Sequence, residues 1–154
     1  MMARPTLGFI GIGKVGSTLA RLLFARGFII PVIYSRSMER VDDLARVIDA
    51  RVVASSGEVI ATADLTFLTV PDDAIGDIVA NLSSYVLNGK AVVHTSGVHE
   101  AGILDVLVAG GAMIGSLHPI FPFADIDQAV AGLPGAAFGV QTDSSLLRDR
   151  KSVV

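Results

Sequence analysis

Three glycines near the start of the chain, Gly11, Gly13 and Gly16, have the spacing of a phosphate-binding turn. They follow an apolar run typical of a buried strand, and a helix pattern begins after them near Lys14. In such a unit the first glycine permits a tight turn, the second lets a pyrophosphate approach the backbone, and the third lets helix and strand pack closely. The free N–H groups at the helix start also favour an anion. The spacing therefore predicts contacts to a dinucleotide from Gly11, Ile12, Gly13, Lys14, Val15 and Gly16.

The residues after the second predicted strand indicate which dinucleotide is bound. An acidic residue about 20 positions past the glycines would bind the free ribose 2′-hydroxyl of NAD. This chain has Ser35, Arg36 and Ser37 there instead, with Arg40 nearby. Because arginine offers a bidentate fork to phosphate oxygens and serine adds a donor, these residues favour the 2′-phosphate of NADP. In the alternative interpretation, Ser35 or Ser37 caps the following helix and Arg36 is a solvated charge.

Val70 and Pro71 follow the fourth predicted strand, where a loop would pass over the ribose and pyrophosphate of the cofactor. We expect their backbone groups to make these contacts. The next two residues, Asp72 and Asp73, could also act there, but we interpret them as helix-start residues that the helix dipole favours.

Hydroxyl and imidazole groups follow the fifth and sixth predicted strands. Thr95 and Ser96 are placed for the nicotinamide end of the cofactor, where they could bind the substrate or the carboxamide. The alternative is that they cap a helix beginning near Val98. His118 could donate a proton to a reduced carbonyl or imine, because its ordinary pKa is about 6.5. A histidine that only hydrogen-bonds loop backbone is the alternative.

The other two histidines, His94 and His99, lack the helical i, i+4 pairing and the carboxylate partner of a zinc site. We therefore predict no metal site. The stretch 118–123, HPIFPF, contains two prolines and is predicted to be a loop that cannot join the sheet.

Strand and helix patterns alternate along the chain. Strands are predicted at 7–10, 28–34 with 32–34 as the regular part, 51–54, 64–70, 90–95, 112–117 and 136–141. Helices are predicted from Lys14, at 38–48 with Ser37 as N-cap, after Ser55 or Ser56 as N-cap through Ala61, from Pro71, and at 98–109, 125–131 and 143–150. The alternation and the continuous apolar strands indicate a doubly wound, mostly parallel sheet in a three-layer α/β/α arrangement, the Rossmann NAD(P)-binding fold. Residues 1–154 are expected to form a single domain.

Composition limits the partners. The formal net charge is −3 and Lys and Arg do not cluster, so nucleic acid is not expected as a partner. There is no cysteine and no apolar run of membrane-helix length, so we expect a cytoplasmic protein that does not cross a membrane. Apolar residues make up 51% of the chain and charged residues only 18%, which favours contact with another chain. We expect a homodimer that buries Phe121 and Phe123, because a loop would otherwise leave these rings in water.

The stretches GFIGIGKVGSTLARLL, YSRS, LTVPDDAI and VVHTSG resemble the N-terminal NADP-binding domains of the 6-phosphogluconate dehydrogenase-like superfamily. Within it, they look most like the deazaflavin-dependent NADP oxidoreductase and pyrroline-5-carboxylate reductase branch. SLHPIFPFA is similar to Rossmann-like proteins with a helical C-terminal domain of unknown function. The resemblance implies cofactor contacts at Gly11, Lys14, Val15, Ser35, Arg36, Val70 and Pro71. It also implies that relatives continue into a helical domain that completes the substrate site, and we expect this chain, which stops at Val154, to lack it.

Two hypotheses on function follow. The first is the NADP(H)-binding domain of an oxidoreductase that transfers hydride to or from a small carbonyl or imine, the exact substrate being unknown. The second is a non-catalytic dinucleotide-binding or sensing module that acts through a partner. A methyltransferase that uses S-adenosylmethionine is disfavoured, because the SRS sequence would then have no phosphate to bind.

Overall fold

The computed structural model describes residues 3–142. Seven strands are present there: β1 Leu7–Ile10, β2 Val32–Tyr34, β3 Arg51–Val52, β4 Leu65–Leu68, β5 Ala91–His94, β6 Met113–Ile120 and β7 Ala137–Thr142. Six α-helices are described: α1 Lys14–Ala25, α2 Val41–Val47, α3 Ser56–Thr62, α4 Ile75–Leu82, α5 Asp105–Val108 and α6 Ile126–Gly132. Short 3₁₀ turns cover Asp72–Ala74, Ala101–Leu104 and Leu133–Gly135. The helix predicted over 143–150 lies outside the described residues.

The strands form one sheet in the order β3-β2-β1-β4-β5-β6-β7. All neighbours are parallel except β6 and β7, which are antiparallel. The chain leaves β1 toward β2 on one side and returns to β4 on the other, so the order reverses between β1 and β4. Ligands of doubly wound sheets bind at such a reversal, at the carboxyl ends of the strands. The doubly wound fold predicted from the sequence is confirmed.

Helices cover both faces of the sheet. One apolar cluster joins the sheet to α3, α4 and α5, and a second cluster joins it to α1, α2 and the turn after α6. All residues of β1 and β4 are buried, as expected of strands covered on both faces. The rings of Phe9 and Phe67 stack between these two strands with centroids 5.0 Å apart. The three-layer arrangement therefore holds the reversal point rigidly at its centre.

Several helix boundaries agree with the sequence patterns. The hydroxyl of Ser55 accepts from the N–H of Glu58 at the start of α3, and the carboxylate of Asp125 accepts from the N–H of Gln128 at the start of α6. The predicted apolar face of α4, made of Ile75, Ile78, Val79 and Leu82, is buried. Within residues 3–142, no helix has the length and apolar character needed to cross a membrane.

The second helix is shorter than predicted, because it begins at Val41 rather than Met38. Ser37 does not cap it. Instead the N–H of Ser37 donates to the hydroxyl of Ser35 at 3.2 Å, which folds residues 35–37 into a local turn before the helix can start.

The helix predicted over 98–109 is also replaced, by a 3₁₀ turn and the short α5. The hydroxyl of Ser96 accepts from the N–H groups of Val98 and His99 at 3.1 and 3.2 Å. The N–H of Ala101 donates to the side chain of Gln141 at 2.7 Å. The two contacts of Ser96 are those of an N-cap and are compatible with a helix start, but in a regular helix the N–H of Ala101 would donate to the carbonyl of Gly97 instead of to Gln141.

The prediction that 118–123 is a loop outside the sheet is wrong for residues 118–120, whereas residues 121–123 follow the strand as a loop. β6 continues through His118 and Pro119 to Ile120, and these residues pair with β7. Pairing of β6 with β5 ends at Ser116, so the last part of β6 has one neighbour strand and tolerates a proline.

Phe121 and Phe123 follow β6 and are partly buried against the cluster that contains α1. Their rings meet edge to face at 5.6 Å. The expectation that these rings lie in water unless a second chain covers them is therefore also wrong. Residues that do expose large apolar side chains at this end are Ile120, Phe138 and Val140.

Candidate functional site

A cleft of about 690 Å³ lies at the carboxyl ends of β1, β2 and β4. It is lined by residues 10–15, 34–37, 69–71, 73, 74, 77 and 78. Ten residues predicted to contact a cofactor line this cleft: Gly11, Ile12, Gly13, Lys14, Val15, Ser35, Arg36, Ser37, Val70 and Pro71. Gly16, Arg40 and Thr95, which were predicted with them, do not line it. The order reversal of the sheet thus brings three loops to one cavity.

The glycine turn is locked against the loop after β4. Gly11 has a φ of +91°, and a Cβ there would lie 2.8 Å from the backbone carbonyl of Thr69. A Cβ at Gly16 would lie 2.5 Å from the Gly11 carbonyl oxygen and 2.5 Å from the Thr69 hydroxyl. Both positions require glycine, the first also because its left-handed backbone is strained for other residues. Close packing of turn, helix and strand, as the glycine spacing predicts, is present.

Gly13 differs from the other two glycines, because a Cβ there would meet no atom within 4 Å. It is the N-cap of α1, it faces the cleft, and no side chain caps the helix. The first N–H groups of a helix have no partner within it. With Lys14 and no acidic residue in its first turn, this helix end is electropositive. The space left by Gly13 suits an anionic group held against bare backbone.

Ser35, Arg36 and Ser37 form the rim of the cleft at the end of β2. Arg36 and Ser37 are exposed, and Arg36 has no ion pair within residues 3–142. Arg40 is exposed too and is the N-cap of α2, away from the cleft lining. A free guanidinium on the rim can bind a phosphate bidentately.

The turn after β4 and the start of α4 bring two carboxylates to the cleft. Asp73 belongs to the 3₁₀ turn that opens α4, as the helix-start interpretation expects, and it also lines the cleft. Asp77, four residues later, lines the cleft beside it and was missed in the sequence analysis. Since residues four apart share a helix face, the pattern Asp73–Asp77 could have revealed it. The cleft lining thus carries two acids and two bases, the bases being Lys14 and Arg36.

Ser96 and His118, which were predicted to act at the nicotinamide end and on the substrate, lie beside the cleft rather than in it. Ser96 is buried in the loop after β5, and its hydroxyl accepts from the N–H groups of Val98 and His99 in the same loop. His118 is exposed on β6, and its imidazole packs over Gly97. The loop after β5 touches the loop after β4, because His99 Nε2 lies 3.0 Å from the carbonyl oxygen of Asp72. Ser96 and His118 therefore lie next to the loop after β4, which lines the cleft, and do not line the cleft themselves.

His94, at the end of β5, is fully buried and fixes this loop. Its Nδ1 accepts from the N–H of Ser96 at 3.1 Å, and its Nε2 lies 2.9 Å from the carbonyl oxygen of Glu100. The first contact requires a free lone pair on Nδ1 and the second a proton on Nε2, so the ring is neutral. Burial lowers the pKa of His94, with the nearby His99 acting in the same direction. In the described part of the chain, no three His, Asp or Glu side chains are grouped to hold a metal ion.

The chain is similar to a curated pyrroline-5-carboxylate reductase from Methanosarcina acetivorans. The two are 25% identical over 139 residues, which cover 87% of this chain and 51% of the reductase. The chain thus spans about half the length of the curated relative that it matches.

Solved structures share the fold. One is an imine reductase variant from Myxococcus stipitatus in complex with NAD⁺, which matches with a TM-score of 0.74 at 19% identity. The match covers 95% of this chain and 48% of the reductase. Another is a reductive aminase from Aspergillus terreus in complex with NADPH and ethyl-5-oxohexanoate, which matches with a TM-score of 0.70 at 18% identity. This match covers 88% of this chain and 46% of the aminase. These structures confirm the fold that the sequence motifs predict.

A sequence profile of the Rossmann-like domain family matches residues 1–119, which include the glycine turn, the rim after β2 and the loops after β4 and β5. The strand order, the locked glycine turn and this match agree, and the chain belongs to the Rossmann-like domain family.

Proposed function

We propose that this chain is the NADP(H)-binding domain of an oxidoreductase that transfers hydride to or from a small carbonyl or imine. The observation that carries the proposal is the open space at Gly13, beside an uncapped helix N-terminus and inside a cleft at the reversal of the sheet. A dinucleotide pyrophosphate fits this position because its charge matches the helix end and only bare backbone faces it. The similarity to a pyrroline-5-carboxylate reductase supports a substrate whose carbon–nitrogen double bond is reduced.

The choice of NADP over NAD is proposed from the rim of the cleft. Structures of this fold have been solved with NAD⁺ and with NADPH, so the fold alone does not decide between them. Arg36 is exposed and without an ion pair in the described residues, next to the hydroxyls of Ser35 and Ser37. A 2′-phosphate would satisfy this guanidinium, whereas a 2′-hydroxyl would not.

When bound, the cofactor supplies a hydride to the carbon of a C=O or C=N bond, and the oxygen or nitrogen then needs a proton. His118 is proposed to hold that proton, since its imidazole is exposed and stands over Gly97 at the ends of β5 and β6. Thr95 and Ser96 are proposed to orient the nicotinamide end. Ser96 is held for this by the two backbone N–H groups that its oxygen accepts, which leaves its hydroxyl proton free to donate.

A non-catalytic dinucleotide sensor is the second candidate. The observation that favours it is that Ser96, Thr95 and His118 do not line the cleft. Steady oxidation of NADPH by the chain with a small carbonyl or imine would exclude the sensor. Binding of NADPH without turnover of any small carbonyl or imine would favour it.

Assembly and location are further parts of the proposal. A homodimer and a cytoplasmic location are both proposed, the first because Ile120, Phe138 and Val140 expose apolar surface. Light scattering of the purified chain tests the dimer, and a monomer at high concentration would contradict it.

The cofactor assignment is tested by titrating NADPH and NADH against the wild type, Arg36→Ala and Arg46→Ala. The wild type should prefer NADPH, and Arg36→Ala should lose roughly tenfold or more in NADPH affinity, the value of a charged hydrogen bond. Arg46 is a matched control because it is exposed, pairs with Asp43 at 3.3 Å and does not line the cleft. A wild type that prefers NADH, or an Arg36→Ala variant that keeps the preference, would contradict the assignment.

A further inference from the structure

Thr69, directly after β4, makes a hydrogen bond that the glycine spacing alone does not reveal. Its hydroxyl donates to the carbonyl oxygen of Gly11, the first residue of the glycine turn. The side chain is buried, with 7% exposed, and it lines the cleft at the base of the turn. Gly16 leaves the space that this hydroxyl occupies. The turn after β1 is therefore attached to the neighbouring strand through one side-chain hydroxyl.

This hydrogen bond fixes the orientation of the peptide that joins Gly11 to Ile12. The described peptide bonds are trans, and in a trans peptide the carbonyl and the following N–H point in opposite directions. Thr69 holds the Gly11 carbonyl toward β4, so the N–H of Ile12 is turned away from β4. Ile12 is buried, with 5% exposed, yet its N–H donates to no acceptor within residues 3–142. Ile12 lines the cleft, so this N–H without a protein partner is available to an acceptor that enters there.

We infer that Thr69 is a positioning residue for the diphosphate of the bound dinucleotide. By holding the Gly11 carbonyl, its hydroxyl presents the N–H of Ile12 to a phosphate oxygen and keeps the carbonyl oxygen away from the anion. This rests on the proposed dinucleotide binding, and it assigns the selection of a diphosphate to a residue outside the glycine motif.

The test compares two ligands and two variants. NADPH carries a diphosphate, whereas adenosine 2′-monophosphate carries the 2′-phosphate and the base but no diphosphate. We expect Thr69→Val to weaken NADPH binding by roughly tenfold or more and to leave the affinity for adenosine 2′-monophosphate unchanged. Thr69→Ser, which keeps the hydroxyl, should restore NADPH binding. If Thr69→Val does not fold, Thr69→Ala replaces it in the same comparison with Thr69→Ser.

Nuclear magnetic resonance gives a second readout. The amide resonance of Ile12 should shift in the wild type when NADPH is added and should not shift with adenosine 2′-monophosphate. Wild-type NADPH affinity in Thr69→Val would overturn the inference, and so would an equal loss for both ligands, which would mean a general loss of structure. A wild type that binds neither ligand would instead overturn the proposed function, and the inference with it.

Discussion

The imidazole of His118 occupies the space into which a side chain at position 97 would project. A Cβ at Gly97 would lie 2.5 Å from Cε1 and 2.6 Å from Nε2 of that ring. Gly97 belongs to the loop after β5, and His118 is on β6. The missing side chain in the loop therefore sets the position of the exposed histidine that we propose as proton donor.

Gly97→Ala is expected to displace the His118 ring at small cost to stability. The ring is the free end of an exposed side chain and can swing away, so the free energy of unfolding should change by less than about 1 kcal/mol. The ring resonances of His118 should shift in Gly97→Ala. Gly102→Ala is the control, since its new methyl group would come no closer than 3.5 Å to the carboxylate of Asp105. Unchanged His118 resonances in Gly97→Ala would contradict the contact.

Gly13→Val is expected to abolish NADPH binding and to leave the fold intact. The new side chain meets no protein atom within 4 Å of its Cβ, so the main cost is that of valine at an N-cap, about 1 kcal/mol, while the side chain fills the space proposed for the pyrophosphate. Gly135→Val is the matched control, because its Cβ is equally free of contacts and lies outside the cleft lining. Circular dichroism with a binding titration separates folding from binding. A folded Gly13→Val variant with wild-type affinity would refute the proposed site.

The buried His94 predicts a pH dependence of stability. Because its pKa is lowered in the folded state, the unfolded chain takes up a proton below about pH 6.5 that the folded chain does not. The free energy of unfolding should therefore fall as pH drops from about 6.5 toward the lowered pKa, by at most about 1.4 kcal/mol per pH unit, and should level off above.

Urea unfolding of the wild type and His94→Gln between about pH 8 and 5 measures this effect. The difference between the two curves isolates His94 from the other titrating groups. Parallel curves would show that the pH dependence has another source.

Thr66→Val is expected to stabilise the fold. Thr66 lies in the centre of β4 with 1% exposed, and its hydroxyl has no hydrogen-bond partner within residues 3–142. Valine has nearly the same shape and removes an unsatisfied buried group that costs about 1–3 kcal/mol, so unfolding should need more denaturant. Thr18→Val is the contrasting variant, because the buried Thr18 donates to the carbonyl of Lys14 at 2.7 Å and should lose stability. Destabilisation of Thr66→Val would contradict this prediction.

The strands and the glycine turn were predictable because their signals are local. β1 and β2 coincide with their apolar runs, and α1 begins at Lys14, right after the predicted turn. In a doubly wound sheet the reversal point then follows from chain order, so the meeting of the loops at Gly11, Ser35 and Val70 could be predicted too.

The errors arose where distant residues decide the local structure. His118 is in a strand because β7, about 20 residues further along, pairs with it, and no local pattern shows that pairing. No regular α-helix runs from Val98 because Gln141, a distant residue, takes the N–H of Ala101. Thr69 was missed for the same reason, since its hydroxyl matters only through a carbonyl 58 positions away in the sequence.

The two ends of the cleft differ in how far they can change. At one end, Gly11, Gly16 and Thr69 interlock with backbone atoms, so almost any new side chain there would collide with the fold itself. At the other end, the exposed side chains of Arg36 and Ser37 hold no other element in place. A substitution at these rim positions should change the free energy of unfolding little. The proposed cofactor preference is therefore open to redesign by a few surface substitutions, whereas the proposed diphosphate site is not.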